Sequence, residues 1–248
     1  MSTEPEFRPF DSEGPVRIYT RHLPHWRQQG ATYFVTFRQE DSIPANVLAE
    51  WLDIRQRWFR AHNLELSSSA SEPARWEAAY RRIPVAVRRA FERRQARMLH
   101  EELDRCHGSC VLRHSEPRRI VADSLSYFHG QRLWMGDFVI MPNHVHALLI
   151  PLDGWELEDL LESIKKWTSR RICKWLRDEK LEESTSRMKS GRRAFWQQEA
   201  YDRIVRDREE LLRFRRYIFQ NPEHANLSPH DCSYHGAEWL APYAELAL

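Results

Sequence analysis

Phe138-Val139-Ile140-Met141-Pro142-Asn143-His144-Val145-His146-Ala147-Leu148-Leu149-Ile150-Pro151 sets two apolar, β-branched runs on either side of a Pro-Asn turn. Side chains alternate faces along a strand, so His144 and His146 point one way and Val145 the other. The pattern predicts two imidazoles side by side on an exposed face, with Val145 anchoring the opposite face in a core. Two neutral imidazoles converging on one point are good metal ligands. A third ligand and a nucleophile must come from elsewhere in the chain.

Working outward, Arg132 to Met141 reads as one strand and His144 to Ile150 as the next. An earlier strand, Ala31 to Phe37, is rich in β-branched and aromatic residues, and a later one runs from Phe195 to Val205. Helical spacing of apolar residues follows Ser42-Ile43-Pro44 through Leu48, Trp51, Leu52, Ile54 and Trp58. Trp76 to Leu103 is helical and Arg-rich, and Pro84 must start or kink a helix there. Pro117 and Gly130 bracket another helix, and an amphipathic one runs from about Glu156 to Asp178. Asp207 caps a last helix, with Glu210 three residues on, and Pro222 ends it. The order predicts an α+β fold of helices over a small antiparallel sheet. Residues 1–30 read as an irregular arm and 31–225 as one domain, with a helical insertion at about 60–110. Residues 179–193 read as a polar, mobile linker and 226–248 as an irregular tail.

A chain of 248 residues, 42% hydrophobic and with ten tryptophans, can build a substantial core. No run approaches the roughly 20 apolar residues of a membrane span, and the N-terminus has no secretory pattern. Four scattered cysteines suit reduced thiols in a cytoplasmic protein. Cys106-His107-x-x-Cys110 lacks the partner pair that a structural zinc site needs. Net charge is only +2, yet Leu160 to Asn221 holds 17 Lys/Arg against 10 Asp/Glu, a local excess of seven. Such asymmetry suits a polyanion, although solvated basic helices would look the same.

On a helical wheel of the last helix, Glu210, Arg213, Gln220 and Asn221 flank Tyr217, while Leu211, Phe214 and Ile218 take the apolar arc. Tyr217 is thus a candidate nucleophile among polar groups; an ordinary surface tyrosine would fit the same wheel. Asn221, one turn on, could bring its amide oxygen to a metal, though a residue before proline is biased away from α conformation.

Met141-Pro142-Asn143-His144-Val145-His146, Trp196-Gln197, Tyr201-Asp202-Arg203-Ile204-Val205-Arg206-Asp207 and Arg216-Tyr217-Ile218-Phe219-Gln220-Asn221-Pro222 occur in this order. With Trp26 to Phe37, they make the chain resemble the single-tyrosine HUH transposases, in particular the REP-associated tyrosine transposases, over about residues 17–225. The resemblance implies a ferredoxin-like antiparallel sheet with helices on one face and the histidines on a central strand. It also implies metal-dependent cleavage and strand transfer of single-stranded DNA through a 5′-phosphotyrosine. Carried over by position, His144, His146 and Asn221 would hold magnesium or manganese and Tyr217 would attack. Hairpin-containing DNA is the implied partner, with the protein a monomer or homodimer. Lys165, Lys166, Arg170, Arg171, Lys174, Arg203, Arg206, Arg213 and Arg216, from the basic stretch, are the candidate phosphate contacts. Trp134, Trp196 and Tyr201 suit base stacking or the core equally. Two other readings remain open: a non-catalytic nucleic-acid-binding protein, and a hydrolase in which water attacks at the two histidines.

Overall fold

The computed structural model describes residues 5–20, 24–64, 73–181 and 194–243. Two short strands, β1 (Arg17–Thr20) and β2 (Pro24–Arg27), pair with each other. After β3 (Tyr33–Arg38) come the helices α1 (Ala45–Ala61), α2 (Pro73–Arg82) and α3 (Val85–Asp104). The chain continues through α4 (Ser115–Tyr127), β4 (Leu133–Ile140), β5 (His144–Pro151) and α5 (Leu157–Asp178). It closes with β6 (Tyr201–Ile204), α6 (Arg208–His224), β7 (Ser233–His235) and a 3-10 turn at Glu238–Tyr243.

The main sheet has the order β6-β3-β5-β4-β7 and is antiparallel throughout. Within it, β3, β4, β5 and β6 alternate with helices in the ferredoxin-like arrangement. On one face Val35, Phe37, Val145 and Leu149 pack with Ile120 and Leu125 of α4 and with Leu160 and Ile164 of α5. Helices on one face therefore describe the ferredoxin-like unit, but not the whole molecule. The other face, with Phe34, Val139 and Leu148, is covered by Leu211 and Ile218 of α6. The run Ala147-Leu148-Leu149-Ile150 is apolar at both parities, as in strands buried on both sides. Every residue of β3 and β5 is buried.

Several boundaries differ from the sequence reading. The segment 1–30 is not irregular throughout: β1 and β2 lie in it, and His25 and Arg27 of β2 reach Asp202 of β6. The tail is not irregular either, since β7 pairs with β4. The strand read over 195–205 is confined to β6, preceded by an isolated bridge between Gln39 and Trp196. Most of the expected linker, 182–193, lies outside the described residues. Pro222 does not end α6, which continues to His224. In the last turn the missing N–H costs one ladder bond, and the carbonyls of Asn221 and Pro222 are taken by the amides of Ala225 and Leu227. Pro84 does separate α2 from α3, and Asp207 does cap α6, accepting from the Glu210 amide at 2.7 Å. The helices α1–α3 share a small core of Phe59, Trp76, Tyr80 and Phe91 with Ile18 of β1. No helix among the described residues is long and apolar enough to cross a membrane.

Candidate active site

His144 and His146 do share one face of β5, with their Nε2 atoms 3.0 Å apart. That face is not exposed: both residues are fully buried beneath α6 and α3. The turn residue Asn143 donates from Nδ2 to the His107 carbonyl, which turns its Oδ1 to His144 Nδ1 at 2.7 Å. His144 therefore carries its proton on Nδ1 and presents a lone pair at Nε2. On the neighbouring strand, Thr36 Oγ1 sits 2.7 Å from His146 Nδ1 and fixes that ring too. The loop holding Cys106 and Cys110 thus orients a histidine through the His107 carbonyl. All four cysteines are free.

Tyr217 comes from α6, with its hydroxyl 3.4 Å from His146 Nε2. Asn221, one turn on, is buried; its Nδ2 donates to Asp104 Oδ1 at 3.0 Å. This leaves Asn221 Oδ1 buried without a hydrogen-bond partner, on the side toward His144, whose protonation it favours. An orphaned buried oxygen beside two imidazole lone pairs is a set of cation donors. Two donors at right angles with bonds of about 2.1 Å stand about 3 Å apart, the separation seen between the two histidines. The residues fit a small divalent cation.

The helix α3 supplies two members that the sequence reading missed. Asp104, the last residue of α3, has ligand atoms within 4.8 Å of His144 and His146. His100, one turn earlier, stacks on the Tyr217 ring at 5.2 Å and meets His146 edge-on; its Nε2 is buried and unpartnered. Asp104 did carry a signal, because a carboxylate at a helix C-terminus opposes the helix dipole. No local pattern marks His100.

Burial, then the neighbouring His100, pushes His144 down to about 3. His146 is held well below the ordinary histidine range by burial, then by His144 and His100. Both rings are neutral at physiological pH, the form that binds metal. Burial first, and then the Asp104 carboxylate, holds the Tyr217 phenol above its ordinary value. Burial raises Asp104 as well, opposed by the hydrogen bond from Asn221. Without a cation the centre is thus set against a phenolate.

Asp104→Asn should weaken manganese binding by about 10- to 100-fold, since it keeps the shape and removes the one carboxylate. Isothermal titration calorimetry checks this, and unchanged affinity would take Asp104 out of the donor set.

The candidate DNA contacts divide into two groups. Lys165, Lys166, Arg170, Arg171 and Lys174 lie on α5, which covers the sheet face opposite the histidines. Lys166, Arg170, Arg171 and Lys174 are exposed, and Lys165 reaches the Gln197 and Gln198 carbonyls. Arg203, Arg206, Arg213 and Arg216 lie on β6, α6 and the turn between them, on the Tyr217 side. Arg203 and Arg213 pair with Glu210, and Arg206 with Glu92. Arg216 is exposed beside Tyr217. Trp196 is a core residue, donating to Thr168 Oγ1.

Comparison with protein-family models and with curated proteins gives no match. A solved structure resembles this fold. It is that of a REP-associated tyrosine transposase bound to a REP hairpin. The likeness covers 82% of this chain and 73% of the other, at 11% sequence identity and a TM-score of 0.40.

Proposed function

We propose that this protein cleaves and rejoins single-stranded DNA through a 5′-phosphotyrosine on Tyr217, in a reaction that depends on a divalent metal. The observation that carries this reading is the meeting of a tyrosine hydroxyl with two neutral, oriented imidazoles and an orphaned amide oxygen in one buried centre. A phosphodiester resists nucleophiles because its charged oxygens repel them. A magnesium or manganese ion held by His144, His146 and Asn221, with Asp104 beside them, would neutralise that charge and favour the phenolate.

The chain's own groups do the rest. The oxygen of Tyr217 attacks phosphorus and forms the Tyr–O–P bond. The bond from phosphorus to the 3′-oxygen breaks, its electron pair leaves on that oxygen, and a proton completes a free 3′-hydroxyl. The phenolic proton would pass to the neighbouring Asp104 carboxylate, whose charge bears on the phenol. Attack by a later 3′-hydroxyl on the phosphotyrosine reverses the sequence and joins strands, with no external energy source. His100 and His146 hold the phenol ring by stacking and edge contact. Arg213 and Arg216 would steady phosphates next to Tyr217, and the α5 cations would take phosphates further along a hairpin substrate.

The test is a denaturing gel of labelled hairpin DNA with single-stranded flanks, incubated with protein and manganese. The expected result is a slow, protease-sensitive covalent species that a chelator abolishes. Clean cleavage with no such species would give the attack to water instead.

A further inference from the structure

A cavity of about 190 Å³ lies beside this centre, between α1, α3 and the sheet. Its wall includes Thr36, whose hydroxyl also holds His146, so cavity and centre share a side chain. Two arginines line it, Arg38 at the end of β3 and Arg55 of α1. They are only 8% and 7% exposed, unusual for a residue whose charge normally stays in water.

Neither guanidinium makes an ion pair among the described residues, although Glu199 acts on both through space. Arg55 Nε is buried with no hydrogen-bond partner. Arg38 donates only from Nη1, to the Gln39 carbonyl and Ser42 Oγ, among the described residues. The nearby carboxylate, Glu199, is bonded to His25 Nε2 at 2.8 Å. Glu40 and Asp41 act on Arg38 through space, and Asp41 is bonded to the Ser109 amide. Burial lowers both arginines, Arg38 to about 10, which is the mark of charge without adequate compensation. Gln95 Nε2, on the same wall, is another buried donor without a partner. Two guanidiniums and an amide donor, against the single carboxylate of Glu199 that is already bonded to His25, thus line a space far above the ~15 Å³ that one water needs. Trp51 and Tyr201 add flat apolar surface.

We propose that this cavity is a phosphodiester subsite: Arg38 and Arg55 grip a phosphate of the DNA strand next to the one presented to Tyr217. The proposal rests on the DNA-cleaving reading above and gives α1 a task in it. Arginine suits the role because its planar fork matches phosphate oxygens two at a time. The bound phosphate would supply the negative charge that the protein withholds.

Arg55→Met keeps the length and removes the charge. It should weaken binding of a single-stranded oligonucleotide by ~10-fold or more and reduce the slope of log affinity against log salt by about 0.7. Its melting temperature should hold or rise, because an unpaired buried cation has gone. Leu52→Trp, which fills the cavity without touching charge, should weaken binding too, and decides the matter if Arg55→Met does not fold. Equal oligonucleotide binding by wild type and a folded variant would overturn the subsite alone. A lower melting temperature with unchanged affinity would make Arg55 a structural residue. Failure of the wild type to bind any oligonucleotide would overturn both this proposal and the reading it rests on. Inorganic phosphate distinguishes the source: if it stabilises wild type but not Arg55→Met while oligonucleotide affinity and salt slope are equal, the site takes a free anion and the DNA assignment falls.

Discussion

Tyr217→Phe is expected to abolish the covalent protein–DNA species and to lower strand cleavage by about 10³-fold or more. The substitution removes one oxygen and little else. The ring keeps its stacking on His100 at 5.2 Å and its edge contact with His146 at 5.0 Å, so α6 stays seated on the sheet. The hydroxyl's contacts with His146 and Asp104 contribute on the order of 1 kcal/mol to stability, so the melting temperature should move by only a few degrees. Metal binding should survive, because His144, His146, Asn221 and Asp104 are untouched. The combination of intact fold, intact metal affinity and lost adduct is what separates a nucleophile from a packing residue. Labelled hairpin DNA, run on a denaturing gel beside wild type, reads the outcome. An adduct of equal yield in the variant would remove Tyr217 from the chemistry.

The largest stability effect is expected far from that centre, at Asp202→Ala, which should cost about 3–5 kcal/mol in urea unfolding. Asp202 is 2% exposed at its side chain and lies 2.6 Å from both His25 Nδ1 and Arg27 Nη1. Deleting it takes the shared carboxylate from two buried cations, leaving Arg27 only Glu158 and His25 only Glu199, and unfastens β2 from β6. A pH dependence accompanies this. Burial alone would lower His25, but Asp202 and Glu199 outweigh it and raise the imidazole to about 9. A raised folded-state value means that stabilisation is complete below the unfolded value near 6.5 and is lost as pH climbs through 9. The amount is roughly 3 kcal/mol. Asp202 has the opposite sign: burial pushes it up, but His25 and Arg27 hold it well below the carboxylate range. Its share is present above about pH 4 and is lost as the pH falls below that. Wild type should therefore be most stable between about pH 4 and 6.5. A urea midpoint that stays flat from pH 6 to 9.5 would contradict the assignment, as would a wild-type pH profile retained by Asp202→Ala.

Within single elements the sequence was a good guide. The alternation of β5 put His144 and His146 together, the wheel of α6 put Asn221 on the Tyr217 side, and Asp207 and Pro84 marked helix starts. The succession of strands and helices along the chain was legible because apolar runs of period two and period 3.6 differ. Burial of the histidines was not, since periodicity tells which residues share a face and not what covers it. That depended on α6 and α3 closing over the sheet.

Partners from distant elements were out of reach for the same reason. Asp104 and His100 stand some 40 residues before His144, in a helix whose arginines suggested only a basic surface. Arg38 and Arg55 sit in unrelated patterns, and nothing local says that both are buried or that they line one cavity. The chain by itself determined the antiparallel α+β sheet, the paired imidazoles and the tyrosine helix, because these follow from spacing along one strand or helix. Only the tertiary structure decided that α3 supplies a carboxylate to the centre and that α1 and α3 wall an arginine-lined cavity beside it. Those features depend on which faces meet, and that is settled by burial of the whole core against the entropy of the chain.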